Sequence, residues 1–193
     1  MSFKALFTAA ALALSAMAVT TIATPAAAQA TDPVKLDLTA RVLGNLKIVD
    51  VMARAGAQTL LADETIKSFT PTEQNRLVQF YTDGLHAEES ALNRKLAASC
   101  ADDFTADELK VLLRLSQIKY IQQLVAQGGD PSINADPSTM SADDKAVYDQ
   151  YSNSDLVTRL ADNLDFDAIK PDLEAITLQA VTDFLAWRAQ QPA

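Results

Sequence analysis

Cysteine is almost absent from this 193-residue chain, and so are histidine and glycine. With Cys100 alone, no intramolecular disulfide can form, so the fold must hold by packing. Cys100 is then either a shielded thiol or a link to a second molecule. The one histidine, His86, excludes a two-metal carboxylate bundle, which takes a Glu-x-x-His pair from each of two helices. A zinc site built from His and Cys fails for the same shortage of ligands. Five glycines are too few for a turn-rich β protein. Positive charge is also scarce: 16 Lys and Arg stand against 25 Asp and Glu, for a net charge of −9. Nucleic acid and anionic membrane surfaces attract clustered cations, so neither is an expected partner.

What the chain does have begins at its start. Lys4 precedes an apolar run over residues 5–19, and Ala28-Gln29-Ala30 supplies small residues at minus three and minus one of a cleavage site. This is the pattern of a secretory signal peptide over residues 1–30. An uncleaved anchor needs about 20 strongly apolar residues. Here alanine is the commonest residue of the run, Thr8 and Ser15 interrupt it and Thr20 and Thr21 follow it directly, so cleavage before Thr31 and a periplasmic or secreted location are the expectation. No stable membrane insertion is expected after cleavage. Without a cysteine near the cut, neither is lipid attachment. Residues 31–193, with 15 basic and 25 acidic side chains, are acidic and suit one domain.

The expected fold class is all-α, a compact bundle of about five or six helices. Leu38, Val42, Leu46, Val49 and Met52 recur at helical steps and predict one helix over residues 36–57, ended by Gly56 before a short apolar stretch. Thr70, Pro71 and Glu73 form a helix start with a reciprocal cap. The apolar face from Leu77 to Leu96 then predicts a helix to about Ser99, with Gly84 as a kink or close contact. Thr105 and Glu108 repeat that start, Phe104 can staple onto Leu109, and Gly128-Gly129 stops the helix. Residues 129–139 read as a surface loop. Ser141 with Asp144 caps a short helix, Ser154 restarts one towards Leu164, and Pro171 opens the last. The two Phe-Thr-x-x-Glu starts lie 35 residues apart. A tetratricopeptide array would need more copies and its own pattern, so two similarly capped helices of one bundle explain the repeat.

Residues 69–81, Phe-Thr-Pro-Thr-Glu-Gln-Asn-Arg-Leu-Val-Gln-Phe-Tyr, resemble the hallmark of the secreted helical proteins grouped as domain of unknown function 2059. Phe69, Thr70, Glu73, Leu77, Phe80 and Tyr81 fit it. The Ser-Pro that usually follows is missing, and Gly84 stands at a different distance. The resemblance implies export and a helical fold. It carries no activity, cofactor or catalytic residue with it.

Candidate sites are few. His86 and Glu89 read as a helix-surface pair. Asn163, Asp165, Asp167 and Glu174 fall on positions one, three, five and twelve of a calcium loop. Ala168, however, occupies the place of the turning glycine and Lys170 that of an apolar residue, so acids at a helix N-terminus explain the run. Cys100 and His86 are fourteen positions apart, about 20 Å along one straight helix, and cannot react together without a break in the helix. Exported helical chorismate mutases are similar in size, and Arg114, Lys119 and Gln122 resemble part of their substrate-holding set. The accompanying Arg and Lys pattern on the first helix is missing, which leaves these three as solvated charge. Tyr81, Tyr120, Tyr148, Tyr151 and Trp187 can anchor a partner or fill a core.

The reading that results is an exported helical protein that binds rather than catalyses, with no catalytic, cofactor or metal residue to name. Its expected partner is another envelope protein or a second copy of itself. A carrier of a small apolar ligand in the bundle interior is the alternative, and a helical enzyme of the chorismate-mutase kind the lesser one.

Overall fold

The computed structural model describes residues 31–126, 136–151 and 154–191. The signal-peptide segment, Gly128-Gly129 and most of the expected surface loop lie outside these residues. Ten α-helices run through the described chain, with no strand among them. They are α1 Pro33–Asn45, α2 Ile48–Ala62, α3 Glu64–Lys67, α4 Pro71–Ala87 and α5 Glu89–Cys100. After a short 3-10 turn come α6 Ala106–Ser116, α7 Lys119–Ala126, α8 Ala142–Tyr151, α9 Asp155–Asn163 and α10 Lys170–Arg188. No helix among the described residues is long and apolar enough to cross a membrane.

The count exceeds the expected five or six because three long helices are each bent into two and the single turn α3 is added. The helix expected over residues 36–57 breaks at Leu46-Lys47, and Gly56 lies inside α2 rather than at an end. Lys47 takes the left-handed conformation at φ 53, and its amide returns to the Gly44 carbonyl. This turn buries both Leu46 and Ile48 while the Lys47 side chain stays in water. A non-glycine residue in that region costs about 1–2 kcal/mol, which the burial of two aliphatic side chains offsets. The second long helix bends at Glu88, four residues past Gly84, with Leu85 and Leu92 buried on either side. The third breaks at Gln117-Ile118, where the Gln122 amide donates to the freed Ser116 carbonyl at 3.0 Å.

Starts are where the sequence reading holds best. Thr70 and Glu73 form the reciprocal cap of α4, and Thr105 and Glu108 that of α6. Ser141 accepts from the Asp144 amide at 3.1 Å, α9 begins after Ser154, and Pro171 stands in the first turn of α10.

α1 packs between α5 and α6, α2 lies on α4, and α10 runs along α4. Arg188 bonds Glu73 at 2.7 Å, while Ile176 abuts Gly84, so α4 and α10 are antiparallel. Two glycines set these approaches. A Cβ on Gly56 would lie 2.6 Å from Tyr81 Cζ, and one on Gly84 3.0 Å from Ile176 Cγ2. Tyr81 is buried, so its ring cannot swing aside.

Arg159 of α9 bonds Glu108 at 2.8 Å and the Asp103 carbonyl at 2.6 Å. The Thr105 amide, then this guanidinium and the Thr105 hydroxyl, hold the Glu108 carboxyl down at about 2.

Two outcomes follow from these contacts. Gly56→Ala should destabilise by about 1–3 kcal/mol in urea unfolding, because the overpacking against Tyr81 outweighs the helix propensity gained. Glu108 contributes its stabilisation above its ordinary 4.5 and loses it as pH falls towards about 2. Glu108→Gln should therefore flatten the decline in melting temperature across that window.

Candidate functional site

A broad concavity lies where α4 bends into α5 alongside α10. It is an open groove of about 690 Å³. Its floor is Gly84, Leu92, Ile176 and Ala180, and its shoulders include Ala87, Ala91 and Ala175. Small residues at these positions leave the helix surfaces low, which opens the groove.

Four carboxylates line it: Asp83, Glu88, Asp172 and Asp183. No Lys or Arg is among its lining residues. Lys95 reaches Asp172 at 2.7 Å and joins α5 to α10 at one end. Asp183 accepts from the Gln179 amide at 2.9 Å. Among the described residues Asp83 and Glu88 have no ion-pair partner. Phe80 closes the other end, under the guanidinium of Arg76 at 4.6 Å.

A second recess, of about 260 Å³, lies between α1 and α5 with Asp37, Arg41, Ser90, Asn93 and Arg94 on its walls. Asn93 is 5% exposed and its Oδ1 has no hydrogen-bond partner. A buried amide left unpaired costs about 1–3 kcal/mol.

The interior is different. The pocket enclosed by Val42, Leu46, Leu112 and Leu160 holds about 10 Å³, the space of one water. Drug-sized ligand sites run to about 300–1,000 Å³.

The residues singled out in the sequence do not come together. His86 bonds Asp50 of α2 at 2.9 Å rather than Glu89. Asp165 caps the 3-10 turn Phe166–Ile169 by accepting from the Asp167 amide, and Asp172 turns to Lys95. No cluster of three or more His, Cys, Asp or Glu suited to a metal occurs among the described residues. Arg114 bonds Asp144 at 2.6 Å, and Gln122 serves the α6–α7 break, so neither is directed with Lys119 at a common point. Tyr81 is buried, and Tyr120 meets Tyr148 edge to face at 5.5 Å. Trp187 leans on Phe184 at 5.9 Å.

The residues of the 69–81 stretch serve the fold. Thr70 and Glu73 cap α4, Leu77 and Tyr81 are buried, and Phe69 packs on Phe184 at 5.3 Å. The groove itself was missed in the sequence. Its signal is the run of small residues Gly84, Ala87 and Ala91 at helical spacing, interleaved with Asp83 and Glu88.

The chain matches no protein-family model, no curated protein and no solved structure.

Cys100 is fully buried beside the Leu96 and Ala97 carbonyls. Burial, and then the Asp103 carboxylate, push its thiol up to about 12. Native protein should therefore react with a thiol reagent such as Ellman's reagent only once denaturant is added, and should show no disulfide-linked dimer on a non-reducing gel.

Proposed function

We propose that this chain is an exported binding protein of the cell envelope, of the kind grouped as domain of unknown function 2059, and that it acts by holding a partner protein rather than by chemistry. The observation that carries the binding reading is the open groove between α4, α5 and α10, with an apolar floor and an unbalanced set of carboxylates. Asp172 is held by Lys95, but Asp83, Glu88 and Asp183 have no ion-pair partner among the described residues, and their mutual repulsion opposes compaction. Export rests on Lys4, the short apolar run and Ala28-Gln29-Ala30. The resemblance of residues 69–81 to that secreted family supports the same location.

The carrier reading draws nothing from the pocket among Val42, Leu46, Leu112 and Leu160, which admits no more than a water. The groove is the better place for an occupant, and its charge suits a protein surface more than an aliphatic ligand.

The test is photo-crosslinking in cells, with benzoyl-phenylalanine at Gln179 on the groove and, as control, at Leu178, which is 69% exposed on another side of α10. The protein should be recovered from the envelope fraction with a mass beginning at Thr31. Gln179 should give a discrete adduct with a second envelope protein, and Leu178 none. Absence of any adduct, or a full-length cytoplasmic product, would remove the proposal. A reproducible extra mass of a few hundred daltons in native mass spectrometry would replace it with the carrier.

A further inference from the structure

We infer that the groove is built for a cationic amphipathic helix of about three turns, presented by the partner protein. The inference rests on the binding function proposed above and names the chemistry of its occupant.

Length comes first. The α10 side of the groove runs over residues 172–183, and eleven steps at 1.5 Å make about 17 Å, three helical turns. α4 and α10 are antiparallel neighbours, so a third helix laid between them completes a bundle layer. The shoulders suit it. Ala87, Ala91 and Ala175 project one carbon each, which lets a partner backbone come as close as packed helices do, about 8–10 Å between axes. Leu92, Ile176 and Ala180 at the floor then meet its apolar stripe.

Charge selects the partner. The register that brings Glu73 to Arg188 and Gly84 to Ile176 places Asp183 towards the Phe80 end and Asp83 near the middle. Glu88 and Asp172 fall at the far end, so carboxylates recur along the full length. Among the described residues only Asp172 is neutralised, by Lys95. A helix with Lys or Arg flanking an apolar stripe finds a carboxylate at each turn. Other occupants fit less well. A second copy of this chain brings the same net negative charge to the same groove. A slender oligoamine satisfies the carboxylates and leaves the apolar floor wet. An aliphatic ligand covers the floor and leaves the carboxylates without counter-charges.

The probe is a synthetic peptide of about 14 residues with Leu and Ala on one face and Lys on the other, end-blocked and fluorescently labelled. It is titrated by anisotropy against the protein purified from the envelope fraction, at about 20 mM and about 300 mM salt. Saturable binding is expected, weakened about tenfold by the higher salt. Asp83→Asn combined with Asp183→Asn should weaken it by a similar factor at low salt and little at high salt. Ala175→Trp, at an exposed shoulder, should block the groove at both salts with its circular dichroism and melting curve unchanged. The inference falls if the peptide fails to saturate, if a peptide with Glu in place of Lys binds as well, if the double variant binds like the parent, or if spermine alone displaces the peptide at equal concentration. Such a failure alongside an intact Gln179 adduct in cells would leave the binding function standing with a different partner chemistry, whereas loss of that adduct would remove the function itself.

Discussion

The seating of α4 against its two neighbours is the constraint on which the rest depends. Tyr81 lies over Gly56 of α2, and Ile176 of α10 lies over Gly84. At Gly56 the Tyr81 ring occupies the space that a Cβ would need, and at Gly84 a Cβ would press on the Ile176 methyl, so the first approach requires glycine and the second is tight. The first contact holds α4 to the core formed by α1, α2, α5 and α6. The second brings α10 down on α4, and the low ridge left between them is the floor of the groove.

Electrostatics divide by position. Where the end of one helix meets a neighbour, a cation reaches it: Arg188 and Glu73, Arg159 and Glu108, Lys95 and Asp172, and Arg54 and the Val125 and Ala126 carbonyls at the end of α7. These pairs are partly exposed, and each contributes modestly. Along the groove the pattern changes, with Asp83, Glu88 and Asp183 lacking cations. Of the four groove carboxylates, Asp172 alone meets a cation among the described residues.

Much of the fold was legible because helix starts are written locally. Thr70 with Glu73, Thr105 with Glu108, Ser141 with Asp144, and Pro171 each act within one turn, and the structure uses all of them. Helix breaks were not legible at Lys47, Glu88 and Gln117, because apolar periodicity continues through each. A bend there costs little locally and is decided by which side chains it buries on distant elements. Gly56 misled for the same reason. A helix end and a close contact both call for glycine, and Tyr81, 25 positions away, decides between them. The candidate site was less legible still, since its residues come from three segments, and only the small-residue run of Gly84, Ala87 and Ala91 leaves a trace in one of them.

By itself the sequence determined the helical class, the helix starts and the acidic character, and it closed off an intramolecular disulfide and a two-metal bundle with a Glu-x-x-His pair from each of two helices, because these follow from composition and from interactions spanning three or four residues. Only the tertiary structure decided where the long helices bend, that Cys100 is enclosed, that His86 meets Asp50, and that four carboxylates share one groove. Those are relations between residues far apart in the chain, and they are set by packing geometry, which no local pattern encodes.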